Sequence, residues 1–213
     1  MLRFSFFGIP VSIHWMFWAT LALLGGIIPA LENLERLNFV LVWVAAGALS
    51  IFVHELGHAL VMHHYGARHV QIVLQSFGGY AVSERRFARG EQFFVSAAGP
   101  FVQIAAGVLV WWVKDAWQPA EPLGRYFMGS FVNVSLFWAV LNLFPIIPLD
   151  GGRIMETILG PAREKTALVV SLVCAVLFAV AAFAMGQLFI AIFFLLFAGT
   201  NWRQLQGEPP QMR

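Results

Sequence analysis

Six stretches of roughly 20 apolar residues run through this chain with short connections between them, the length a helix needs to cross a hydrocarbon core about 30 Å thick. With soft edges they are residues 10–30, 37–62, 93–113, 126–147, 166–185 and 188–202. Composition agrees. Of 213 residues, 60% are hydrophobic and 11% charged, whereas a soluble domain is nearer a quarter charged. Mean hydropathy is +0.76. A soluble fold would have to bury several long helices completely in a small chain. The fold class expected is therefore an all-α polytopic membrane protein with about six transmembrane helices. The last two stretches, read as one helix, would be about 55 Å long, too long for one crossing. Gly186-Gln187 splits them into a tight hairpin. Residues 1–213 read as one integral-membrane domain, with a core of about 37–152 and a C-terminal helical hairpin of about 166–202.

Charge sets the orientation. Of the 13 Lys and Arg residues, all except Arg36, Lys114 and Arg125 fall on the side holding both termini and the second and fourth loops. The basic-rich side is the cytoplasmic one, so both termini are expected there. A net charge of +2, scattered between apolar segments, excludes nucleic-acid binding as a function class. Arg3 followed by an apolar run imitates a signal peptide, but the run continues past Ile28 with no small-x-small cleavage site, so it is read as a retained first span. The one cysteine, Cys174, lies in an apolar run and reads as a small buried hydrophobe.

Residues 70–82 break the helical pattern. They are rich in β-branched and aromatic types and interrupted by Gly78-Gly79, a hairpin signature. A short re-entrant or interfacial β-hairpin between the second and third spans is expected; an ordinary cytoplasmic loop is the alternative. At membrane depth such backbone must be satisfied by protein or a wet cavity.

The chemistry sits in the second span: His54-Glu55-Leu56-Gly57-His58. Residues i and i+4 share one helix face, so both imidazoles can reach one Zn²⁺ ion, and Glu55 is placed to take a proton from an activated water. Zinc brings the pKa of water at such a site towards ~7. Ionisable residues inside a span are costly and default to a functional reading; a satisfied polar cluster or channel lining is the plainer one. A catalytic zinc has three protein ligands and one open position. The strongest third candidate is Asp150, at the end of the fourth span. Pro145 and Pro148 break the helix before it, and Gly151-Gly152 permits a sharp turn. In the charge-based orientation, the His pair and Asp150 both fall towards the cytoplasmic side.

These motifs resemble the site-2 protease family of intramembrane zinc metalloproteases. The resemblance rests on His54-Glu55-Leu56-Gly57-His58, on Ser96-Ala97-Ala98-Gly99-Pro100, and on Asn142 to Gly152, which is similar to the family's Asn-x-x-Pro followed by Asp-Gly. Phe77-Gly78-Gly79 resembles the family's re-entrant hairpin. The resemblance implies that His54, His58 and Asp150 bind one Zn²⁺ per chain, that Glu55 is the catalytic base, and that Asn142 positions the substrate or polarises its carbonyl. The layout looks like the bacterial and archaeal branch, located in the cell membrane, without the PDZ and CBS domains of other branches. The expected substrates are transmembrane or membrane-tethered proteins, cut near the cytoplasmic face of the lipid bilayer in regulated intramembrane proteolysis.

Ser96, Gly99 and Pro100 suit close helix packing and a kink. His14 in the first span reads as a structural polar contact, with a place in the cavity lining as the alternative. An extended substrate could add to the edge of the 70–82 hairpin. Two rival readings stand beside these, with a catalytically inactive binding protein as a third. A membrane protease with a downstream Glu ligand would use Glu156 or Glu164, and a zinc or proton transporter would use the same polar residues as a path.

Overall fold

The computed structural model describes residues 1–76, 78–116 and 119–208. In chain order its elements are β1 (Leu2–Phe6), β2 (Ile9–Ile13), α1 (Trp15–Leu24), α2 (Ile27–Ala30), α3 (Leu34–His64), β3 (Gln71–Gln75), β4 (Gly78–Val82), α4 (Arg89–Ala116), α5 (Pro122–Asn142), α6 (Asp150–Leu159), a 3-10 turn (Pro161–Arg163), α7 (Glu164–Ala184) and α8 (Leu188–Leu205). Four helical stretches are long and apolar enough to cross a membrane: α3, α4, α7 with the turn before it, and α8. α5 has 21 residues but is not among the four; Ser130, Asn133 and Ser135 make it less apolar. The chain forms two compact units, Met1–Arg86 with Ala98–Leu141, and residues 87–97 with the chain from Asn142 onward.

The first unit corrects the all-helical expectation for residues 10–30. That stretch holds β2, a 10-residue α1, a break at Gly25-Gly26 and a four-residue α2. The cause is local. Leu2, Phe4 and Phe6 alternate with Arg3 and Ser5, and Phe7 and Gly8 both adopt positive φ, 49° and 81°, the conformation of a two-residue hairpin turn. A period of two inside an apolar window still scores as apolar, so length alone misreads it. β1 pairs antiparallel with β2, β2 parallel with β3, and β3 antiparallel with β4, giving one sheet in the order β1-β2-β3-β4. Residues 70–82 thus supply two strands of four, not an isolated hairpin. Val11, Ile72 and Leu74 are buried in it, and the sheet packs on α1 and α3. His14 stands where β2 passes into α1, its backbone N–H donating to Leu74 O at 2.9 Å.

In the second unit, α7 and α8 pack along each other with Phe178 and Phe194 centroids 5.2 Å apart. The chain passes between them at Gly186-Gln187, where Gly186 has φ +74°. Between Asn142 and Asp150 the chain is irregular, as two prolines require. The peptide groups of Ile147 are held from two helices. Its N–H donates to Ser171 Oγ at 2.7 Å, and its carbonyl accepts from Asn201 Nδ2 at 2.8 Å. Arg89 donates to the carbonyls of Thr157 and Ile158, which at the end of α6 have lost their helical partners.

Candidate metal centre

α3 begins on Asn33, whose Oδ1 accepts from the N–H groups of Glu35 and Arg36 at 2.9 and 3.2 Å, a strong N-cap. The helix then runs unbroken for 31 residues, which holds His54 and His58 on one face, one turn apart. Their Nε2 atoms lie 3.1 Å apart. His54, Glu55 and His58 are all buried, at 4%, 4% and 7% exposure. Ionisable groups this deep need partners or a metal.

Two glycines let α4 reach this face of α3. A Cβ on Gly57 would stand 2.8 Å from Ala98 O, and one on Gly99 would run into the His58 ring. Gly99, expected as a packing residue, also leaves the volume that His58 occupies. Pro100 lies inside α4 and is fully buried. Ser96 is buried too, its hydroxyl accepting from Gln92 Nε2 at 3.2 Å. Glu55 lies against β4: a Cβ on Gly79 would be 2.7 Å from Glu55 Cγ. Gly78 begins the same strand in open space. Phe77 lies outside the described residues.

The sequence reading missed the partner of His54. Gln103, on α4, is fully buried, with Oε1 2.9 Å from His54 Nδ1. Its amide nitrogen donates to Ser50 Oγ at 2.9 Å and Ser50 O at 3.3 Å. The Ser50 hydroxyl is 2.8 Å from that of Ser135 on α5. The available signal was a glutamine inside an apolar run, where an amide without a partner is costly.

In the second unit Asp150 is the first residue of α6 and 8% exposed. A carboxylate is favoured in the first turn of a helix by the unpaired N–H groups there. A Cβ on Gly151 would strike Leu143 O, and one on Gly152 would be 2.6 Å from the Ile146 carbonyl. The glycines therefore let the irregular chain fold back onto the helix start. Asn142, half-buried, ends α5.

Among the described residues, His54, His58 and Asp150 form a group of possible metal ligands, all buried, with one ligand atom from each within 4.8 Å of the others. Bonds of about 2.0 Å in a tetrahedron place donors about 3.3 Å apart, close to the spacing of the two imidazole nitrogens. Two imidazoles and one carboxylate make a donor set suited to zinc with a position left open. The group contains neither Glu156 nor Glu164. His63, near the end of α3, is engaged elsewhere, Nδ1 lying 3.3 Å from Ala67 O.

The chain is similar to known proteins. The peptidase M50B-like family matches residues 15–151, and peptidase family M50 matches residues 120–186. A zinc metalloprotease of Methanocaldococcus jannaschii is 30% identical over 160 residues, 74% of this chain and 44% of that protein. Stage IV sporulation protein FB of Bacillus subtilis is 31% identical over 155 residues, 69% of this chain and 46% of that protein. The chain thus spans less than half the length of these curated relatives. The solved site-2 protease from Methanocaldococcus jannaschii shares the fold, with a TM-score of 0.69 at 23% identity over 96% of this chain and 94% of that one.

Proposed function

The chain belongs to the site-2 protease family of M50 peptidases, and from that premise we propose that it is a membrane zinc metalloprotease that hydrolyses peptide bonds of membrane-spanning or membrane-tethered proteins near the cytoplasmic face, in regulated intramembrane proteolysis. The observation that carries this reading is the buried group of His54, His58 and Asp150 with Glu55 on the same helix turn.

In this reading His54, His58 and Asp150 hold the metal. Bound zinc supplies Lewis-acid polarisation of the scissile carbonyl and lowers the pKa of water. Glu55 takes the proton as the water oxygen bonds to the carbonyl carbon, then returns it to the amine nitrogen as the C–N bond breaks. Asn142 donates its side-chain N–H to the developing oxyanion. A substrate helix hides its backbone in its own hydrogen bonds, so it must be opened into a strand before cleavage. β4 is an outer strand of its sheet and lies against Glu55 through Gly79. A substrate strand added to that edge would run beside the catalytic base.

The membrane layout follows the same premise. β2 pairs with β3, which follows the end of α3, whereas α2 leads to its start. Residues 14–33 therefore carry the chain back along α3 as a broken first crossing. With α3, α4, α5, α7 and α8 this gives six, both termini cytoplasmic, in a cell membrane.

The test is metal analysis of the purified chain, followed by comparison of the membrane proteins of cells carrying the wild type or Glu55→Gln. One zinc per chain, and membrane proteins that persist uncut with the variant, are expected. A wild type that takes up no zinc, or leaves the same membrane proteins uncut as the variant, overturns the assignment.

A further inference from the structure

A metal-binding histidine must present an unprotonated nitrogen, and which nitrogen carries the proton is set by what the other one meets. For His54 the hydrogen bonds decide it. One end of the Gln103 amide faces Ser50, 2.9 Å from Oγ and 3.3 Å from the backbone oxygen. A backbone carbonyl accepts and never donates, so the amide nitrogen belongs at that end. The amide oxygen therefore faces His54 Nδ1 at 2.9 Å. An oxygen there can only accept, so Nδ1 bears the hydrogen. In a neutral ring this leaves the lone pair on Nε2, the atom 3.1 Å from His58 Nε2. Gln103, Ser50 and Ser135 are each 0% exposed, so no bulk water offers the amide another partner, and the two serine hydroxyls, 2.8 Å apart, brace its donor end.

We propose that Gln103 is a positioning residue, holding His54 in the Nδ1–H tautomer with its ring turned so that Nε2 faces the metal. The inference rests on the reading that His54 is a zinc ligand, but reaches a residue outside both the His54–His58 motif and the stretch from Asn142 to Gly152. It also gives a reason for an amide at this place in α4. A carboxylate would accept from His54 equally well but would turn its second oxygen towards the Ser50 carbonyl, and an aliphatic side chain would remove the acceptor that faces Nδ1–H.

The test uses the full chain in detergent and two readouts. Ring ¹⁵N NMR of the zinc-free wild type, with the His54 signals assigned by their loss in His54→Ala, is expected to find the proton on Nδ1. In Gln103→Met, which keeps the length and removes the acceptor, a mixture of tautomers is expected. Chelator competition is expected to give Gln103→Met a zinc affinity about 10–100-fold below wild type, the usual consequence of losing a ligand's hydrogen-bond partner. A role in packing alone would lower the melting temperature of the zinc-free protein and leave affinity and tautomer unchanged. Zinc affinity equal to wild type in Gln103→Met overturns the inference. So does an Nε2–H tautomer in the wild type, a result that does not depend on any Gln103 variant folding. If instead His54→Ala binds zinc as tightly as wild type, it is the zinc-ligand reading that fails.

Discussion

Gly99→Ala adds one methyl group against the ring of His58. An ideal Cβ at this position would stand 2.6 Å from Cε1 and 2.8 Å from Cδ2 of that ring. Carbon atoms rest at about 3.5–4.0 Å, so the ring or the helix must retreat by roughly 1 Å. A zinc–nitrogen bond tolerates only about ±0.2 Å. If the ring retreats, His58 is lost as a ligand and zinc affinity should fall by at least about 100-fold, or ~2.7 kcal/mol. If α4 retreats instead, the overpacked contact should cost about 1–3 kcal/mol of stability. Gly57→Ala is the internal control. Its Cβ meets Ala98 O at 2.8 Å, so it strains the same helix contact through the backbone of α4. The assay is chelator competition for zinc together with thermal melting of zinc-free protein, for both variants. Gly99→Ala is expected to lose affinity relative to Gly57→Ala at comparable melting temperatures. A Gly99→Ala protein that binds zinc and melts like wild type would refute the steric argument.

Other expectations follow from the same site. Asp150→Ala should abolish zinc retention measured by metal analysis, while Glu156→Ala should retain it. Glu55→Gln should keep zinc but lower the cleavage rate of a membrane substrate by about 10²–10⁴-fold, the usual contribution of a general base. Asn201→Leu leaves the Ile147 carbonyl without its side-chain donor and should cost about 1–3 kcal/mol, read as a lower melting temperature. Neighbouring strand residues point their N–H groups to opposite edges, so proline at one of Tyr80 and Ala81 removes a donor from the open edge of β4. That variant should slow cleavage with zinc content unchanged, whereas parallel loss of zinc would count against strand addition.

The candidate metal ligands were legible because their chemistry is written in spacing. His54 and His58 are four residues apart on a helix whose length the apolar run predicts, and Asp150 follows two prolines that end the regular helix. The split at Gly186-Gln187 was legible from length, since one helix over both stretches would overshoot the bilayer. The N-terminal strands were not. Residues 10–13 are apolar enough to be absorbed into the predicted span of 10–30, and what makes β2 an inner strand is its pairing with β3, some sixty residues away.

Sequence alone determined the class of protein and pointed to the candidate reactive groups, because hydrophobic length and local periodicity are properties of contiguous residues. The tertiary structure decided what surrounds those groups. The glycine at 79 matters because β4 passes over Glu55, the glycine at 99 because a ring from another helix fills its empty space, and Gln103 because its amide meets His54 and Ser50 at once. Each is a contact between residues distant in the chain, and no local pattern encodes which distant partner a side chain will meet.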